Sequence, residues 1–280
     1  MDIEQRDLQN SPIYDSSSEQ WRGITELSEL FRYRFLLSNL IRRDLKVRYK
    51  RSPIGFAWVV LNPLLMMTVL TIVFSQIFRF GIPHFPVYLL AGILMFNLFS
   101  QGTNAAMAQL QGSGALLQRM YVPPSVFVVA AVGSAIVNLL FSLIPFLSIA
   151  FINGVRPTWG WLLIVVPIII TAVFTVGIGL IVGASVIFFT DTFEIYQVFL
   201  NVFYFLTPIF YPVSALHPPV SLFENFNPMF LFIDALRSAI FTGQLTVLPN
   251  MLVATAYALS AIIIGWTLFT RTEDTFAYHF

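Results

Sequence analysis

No cysteine occurs in the 280 residues, which excludes disulfides, thiolate metal sites and a cysteine nucleophile together. Charge is scarce as well, with Asp, Glu, Lys and Arg making up 10% of the chain. Lysine occurs only at Lys46 and Lys50. Neither follows a glycine-rich loop, so no G-x-x-x-x-G-K-[ST] phosphate cradle is present and the chain cannot hydrolyse ATP through a P-loop by itself. The histidines, His84, His217 and His279, are solitary and read as interfacial rather than catalytic. The long apolar runs are nearly free of carboxylates and show no convincing internal repeat, so the midplane acids of an ion-coupled carrier are missing. Asp191 and Glu194 are three apart and could share a helix face. Beside a short polar run they read as an interfacial N-cap rather than as paired catalytic carboxylates. Residues 1–25 are polar, and the first twenty have no apolar core; they read as a flexible cytoplasmic tail rather than a signal peptide.

What the chain has in abundance is apolar and aromatic surface, 57% and 16% of its residues, with a mean hydropathy of +0.79. These values are far from soluble averages and identify an integral membrane protein. A hydrocarbon core of roughly 30 Å takes about 20 apolar residues per helix. Runs of that kind lie near Phe56–Phe78, Val87–Met107, Ser125–Ile152, Trp159–Phe189, Ile195–Tyr211 and Leu248–Phe269. The expected fold class is therefore all-α, with six transmembrane helices over residues 53–271 and a cytoplasmic tail over 272–280.

The net charge of +1 conceals a strong asymmetry. Six of the ten residues from Arg42 to Arg51 are basic: Arg42, Arg43, Lys46, Arg48, Lys50 and Arg51. Assigning sides by the positive-inside rule puts 12 of the 15 Lys and Arg on the cytoplasmic face and only Arg79, Arg156 and Arg237 outside, with both termini inside. Residues 26–52 read as an amphipathic helix lying along the membrane. Leu30, Tyr33, Leu37, Leu40, Ile41 and Leu45 share one face, and Arg32, Asn39, Arg43, Lys46 and Lys50 another. Pro53 and Gly55 then permit the turn into the first span. A plain cationic flank with no further role is the alternative reading.

The segment over about 213–243 follows Pro208 and Pro212, contains Pro218, Pro219 and Pro228, and interrupts the helical array. Leu222–Phe226 and Met229–Phe241 are too short to span and read as two short helices dipping into the outer leaflet. Irregular backbone survives at membrane depth only where protein or a water-filled cavity satisfies it. The segment is thus a candidate external mouth or, alternatively, a loop on the headgroups. Asp234 and Arg237, three apart, are expected to pair.

Four strings in order now carry a resemblance: RRDLKVRYKRSPIGFAWVVLNPLLMM from Arg42, LLQRMYVPP from Leu116, FYFLTPIFYP from Phe203 and FNPMFLFIDALRSAIFTG from Phe226. Together they resemble the membrane (permease) subunits of type-2 ABC exporters, more narrowly those that export O-antigen, capsular polysaccharide or teichoic acid. The likeness runs from about Glu26 to the end. It implies a homodimer in the bacterial inner membrane, each subunit having an interface helix, six spans and two re-entrant helices. Two copies of a separate cytoplasmic P-loop ATPase would bind ATP and Mg, since this chain carries no cofactor and no catalytic or metal site. It also implies a coupling helix at about 108–121 docking on that ATPase through Leu116, Leu117, Arg119, Met120 and Tyr121. An external gate would hold Asn227, Pro228, Asp234 and Arg237. Where relatives often carry a basic residue this chain has Gln118 and Pro124, and Thr190 stands where an Arg is usual, which points to a weaker inner-loop contact with the ATPase.

The implied substrate is an undecaprenyl-linked glycan, with no nucleic-acid partner. A sugar polymer presents apolar ring faces that aromatic side chains can stack on without fixing one register. Tyr196, Phe199, Phe203 and Phe210 are expected on one stripe of the fifth span, with Phe56 and Trp58 opening the first; these are the candidate channel-lining residues, with helix packing or lipid contact as the alternative. The cluster Arg42, Arg43, Lys46, Arg48, Lys50 and Arg51 is the candidate site for the lipid pyrophosphate. Other substrates, such as a drug or simple lipid, and a non-transport envelope protein or enzyme remain rival readings.

Overall fold

The computed structural model describes residues 32–49, 55–77, 82–114, 122–212, 226–246 and 248–276, and among these the chain is helical with no strand. Eight helices follow in order: α1 Arg34–Tyr49, α2 Trp58–Ile77, α3 Phe85–Gly112, α4 Ser125–Ile152, α5 Val165–Phe188, α6 Thr192–Leu206, α7 Pro228–Phe241 and α8 Leu248–Phe276. A 3-10 turn, Gly55–Ala57, leads into α2, and another, Trp159–Ile164, into α5. Four helical stretches are long and apolar enough to cross a membrane: Phe85–Gly112, Ser125–Ile152, Trp159–Phe188 and Leu248–Glu273. The described apolar part of α2, Trp58–Phe74, is shorter. At 15 residues and about 1.5 Å per residue, α6 is only about 22 Å long. Among the described residues, helix length alone does not support a six-span array.

The reason α6 stops early is legible at its end. The expected span ran to Tyr211, but Pro208 forces Thr207 out of the helical region, and Thr207 sits at φ −85, ψ 131. The other boundaries fall close to expectation, except that α8 continues to Phe276, past residue 271. Ala108–Gly112, expected within a separate coupling helix, forms the last turns of α3.

α3 is the centre of the molecule. It touches α2, α4, α5, α6 and α7, and most of its residues from Val87 to Leu110 are buried. α5 and α8 approach more closely than side chains would allow. A Cβ on Gly177 or on Gly265 would collide with the backbone of the other helix, and Ala254, Ala258 and Ala261 continue the same buried face of α8. Small residues at this spacing let helices meet backbone to backbone, which in lipid replaces the missing hydrophobic drive with close packing. α1 packs across α4. Leu40 is buried, and Gly133 of α4 leaves room for Ile41, while Arg42, Arg43 and Lys46 face outward. That is the division of faces the periodicity predicts.

α2 carries an internal proline, Pro63. A proline lacks the N–H that would bond the carbonyl four residues back and so orphans it. Here that carbonyl belongs to Val59, and the Ser142 hydroxyl of α4 donates to it at 3.2 Å. The break in one helix is thereby satisfied by its neighbour.

Candidate functional site

Three features gather the candidate residues: an aromatic stripe on α6, a polar cavity beside α2, and a broken backbone segment held by α7. The stripe is real for three of its four expected members. The rings of Tyr196 and Phe199 stack at 5.8 Å between centroids, and those of Phe199 and Phe203 at 5.4 Å. Phe210 does not belong to it. It lies beyond the end of α6, buried against Phe74 of α2 at 5.3 Å and against Tyr204 at 5.7 Å. Tyr196 is also buried, whereas Phe199 is 49% exposed. Phe203 is half-buried and packs on Phe96 and Phe99 of α3, each at 6.0 Å. Only Phe199 and, on α2, Trp58 at 43% exposure present open aromatic surface among the described candidates. Phe56 falls in the 3-10 turn before α2, and its side chain lies outside the described residues. Gln197 ties α6 to α3 by donating to Asn104 Oδ1 at 2.7 Å.

The second feature was not anticipated. Between α2, α3 and α4 lies a cavity of ≈ 300 Å³ lined by Trp58, Asn62, Asn97, Gln101, Asn138 and Ser142 together with apolar neighbours. The polar residues come as i, i+4 pairs on three helices, Asn97 with Gln101 and Asn138 with Ser142, and Trp58 with Asn62 at the same spacing. A search for charges passes over them because every one is neutral. The signal in the sequence is a polar side chain on each of three otherwise apolar runs, with one amide pair a turn apart, Asn97 and Gln101.

The third feature corrects an expectation. Arg237 does not pair with Asp234. Its guanidinium is buried and donates to backbone carbonyls: Nε and Nη2 to Tyr88 at 3.2 and 3.1 Å, Nη1 to Pro208 at 3.0 Å and Nη2 to Ile209 at 2.8 Å. It also lies 3.4 Å from the Tyr88 ring centroid. Asp234 instead accepts from the Thr246 hydroxyl at 2.7 Å. Five donors in a rigid fork suit Arg to three carbonyls at once, where Lys would offer a point charge. Gly92 makes space for this clamp, since a Cβ there would lie 2.9 Å from Ile209 and 3.1 Å from the Arg237 fork. Asn227 caps α7 by accepting from the Met229 and Phe230 amides at 3.0 and 3.2 Å, and its Nδ2 donates to Thr207 Oγ1 at 3.1 Å. Pro228 occupies the first helical turn, where its missing N–H costs nothing. All four expected gate residues thus sit on or beside α7, and two of them, Asn227 and Arg237, hold the non-helical chain after α6.

The remaining expectations divide by position. Arg42, Arg43 and Lys46 are exposed on α1. Arg48 lies in α1, but its side chain, like all of Lys50 and Arg51, is outside the described residues. The same holds for Leu116, Leu117, Arg119, Met120 and Tyr121 and for 222–225 of the first short outer helix. Asp191 occupies the N-cap position of α6 without a capping side-chain bond, and Glu194 follows in the first turn. Their negative charge at a helix N-terminus is favourable without any catalytic role. No group of His, Asp and Glu that could hold a metal occurs among the described residues.

The profile of the ABC-2 type transporter family matches residues 36–241. The chain belongs to that family. The match begins in α1 and ends with the last residue of α7, so it takes in most of α1, the cavity, the aromatic stripe and the arginine clamp of this ABC-2 chain. Among curated relatives it is 30% identical over 254 residues to an O-antigen export system permease protein, RfbA, of Myxococcus xanthus, covering 89% of this chain and 96% of that one. A protein of the same description from Klebsiella pneumoniae is 26% identical, over 86% of this chain and 93% of its own length. The polysialic acid transport protein KpsM of Escherichia coli is 21% identical, over 84% and 92%.

Proposed function

We propose that this chain is the membrane subunit of an ATP-driven exporter that moves a lipid-linked polysaccharide, of the O-antigen kind, out of the cytoplasm through a channel formed by two copies. The observation that carries this reading is end-to-end similarity to an O-antigen export permease, 30% identical over 96% of that relative's length. Two copies of a P-loop ATPase, binding ATP and Mg, supply the energy from the cytoplasmic face, docking at about 108–121. Both termini lie on that face in the inner membrane.

The architecture agrees with a channel between subunits rather than within one. α3 fills the centre of the protomer, while α2 and α6 carry open apolar faces: Leu65, Met66, Val69, Ile72 and Val73 on the one, Ile195, Val198, Phe199 and Val202 on the other. Pairing two copies over these faces buries them and lines the seam with Phe199, in the two-fold arrangement commonest among oligomers. The cationic face of α1, with Arg48, Lys50 and Arg51, receives the carrier lipid's pyrophosphate at the headgroup level.

The test is ATP hydrolysis by the purified two-component complex against a panel of undecaprenyl-linked glycans. Stimulation by one glycan class, lost with Arg48→Ala and Arg51→Ala while the complex stays assembled, is the expected result. A complex whose hydrolysis ignores every glycan but responds to simple lipids or drugs would overturn the polysaccharide reading.

A further inference from the structure

The cavity between α2, α3 and α4 has a chemistry that export alone does not require. Its ≈ 300 Å³ reaches the lower bound of small-molecule pockets, and among the described residues its polar wall contains three Asn, one Gln and one Ser and no charged side chain. Asn138 is only 6% exposed, and its Oδ1 has no hydrogen-bond partner. A buried amide oxygen left unpaired is unfavourable, and a bound hydroxyl would remove that penalty. Trp58, on the same wall and 43% exposed, offers indole surface. Its described lining is neutral throughout, which favours an uncharged ligand over phosphate, carboxylate or amine. Amides, each both donor and acceptor, match vicinal hydroxyls, and an indole face matches the apolar face of a sugar ring.

We propose that this cavity is a binding site for a neutral hydroxylated ligand, namely one uncharged sugar ring of the transported polymer, held within each protomer and set apart from the aromatic stripe of α6. The proposal rests on the polysaccharide reading above. The Asn138 amide accepts and donates to adjacent ring hydroxyls, Asn97 and Gln101 approach from α3, and Trp58 covers the ring. Because the wall includes Asn62 and Pro63 of the interrupted α2, occupancy also bears on the place where Pro63 leaves the Val59 carbonyl without its intrahelical partner.

The experiment uses the full chain, with its partner, in cells that make the glycan. Trp58 or Phe199 is replaced by p-benzoylphenylalanine, and glycan adducts are recognised by a mobility shift that periodate abolishes. Adducts are expected at position 58, falling roughly three- to tenfold with Asn138→Leu, the worth of one or two neutral hydrogen bonds. Those at position 199 should change by less than twofold. Asn97→Leu gives the same pattern should Asn138→Leu lower the yield of assembled chain. No adduct at 58, or adducts there that ignore both substitutions while 199 still captures glycan, means the cavity holds water only and overturns the proposal. Deleting the chain separates the two readings: surface glycan that persists unchanged after deletion sinks the export reading and this proposal together. Glycan lost on deletion with no capture at 58 sinks this proposal alone.

Discussion

A single arginine decides whether the chain after α6 can stay unwound. The carbonyls of Pro208 and Ile209 have left a helix that ended at Leu206, and in lipid a carbonyl without a partner costs several kcal/mol. Arg237 serves both, and Tyr88 in addition. Arg237→Leu should therefore cost about 3 kcal/mol or more, seen as a lower Tm of the purified full-length chain. Arg237→Lys should recover less than half of the loss, because an ammonium cannot reach three carbonyls in fixed directions. A Tm unchanged by Arg237→Leu would mean that water already serves those carbonyls. This role was hidden in the sequence because Asp234 sits three residues away, and spacing alone favours the ion pair. The spacing of α7 does not reveal that an unwound backbone elsewhere competes for the same guanidinium.

Among the elements, α2 and α6 are each interrupted by proline and each repaired from outside. For α2 the repair is the Ser142 hydroxyl on the Val59 carbonyl, which suggests a double-mutant cycle. Ser142→Ala alone should cost about 1 kcal/mol. In a Pro63→Ala background it should cost nearly nothing, because the residue-63 amide then takes the Val59 carbonyl. Equal costs in both backgrounds would show that the serine acts only on its own helix, where it also donates to the Asn138 carbonyl at 3.0 Å. The long helices were legible because apolar run length reports them directly: α4 begins and ends at Ser125 and Ile152 as expected. The end of α6 was not, although Pro208 was visible, because apolar character continues through Ile209 and Phe210 after the helix has stopped. The amphipathic α1 was legible from periodicity. The amide cavity was not, because its residues are distant in sequence and meet only once three helices pack.

For the whole molecule, the absence of cysteine becomes useful. Two copies carrying both Val69→Cys and Val202→Cys should be joined by a bismaleimide into a species of twice the chain mass, since the open faces of α2 and α6 meet in the proposed pair. Ile263→Cys, on the exposed face of α8, should give none. Efficient joining through Ile263→Cys and none through the α2 and α6 positions would place the seam elsewhere. Export should fall in step with Phe199→Ala, assayed as surface glycan, with the amount of cross-linkable pair unchanged. Export at the parental rate would return Phe199 to lipid contact.

The meeting of Gly177 and Gly265 has a mechanical meaning beyond stability. Two helices whose backbones touch have no side-chain layer to slide on, so α5 and α8 form a stator, clamped in turn to α3 and α4. α2 and α6, with proline breaks at Pro63 and just past Leu206, would be the parts left to move, the second break on a backbone that Arg237 holds. Work delivered by a nucleotide-driven partner would then be spent at two joints rather than diffused through the bundle. Widening the stator by one side chain, with Gly177→Val, should uncouple ATP consumption from glycan export: hydrolysis by the assembled complex continues while surface glycan falls severalfold. Proportional loss of both would show that the glycine contact serves assembly alone.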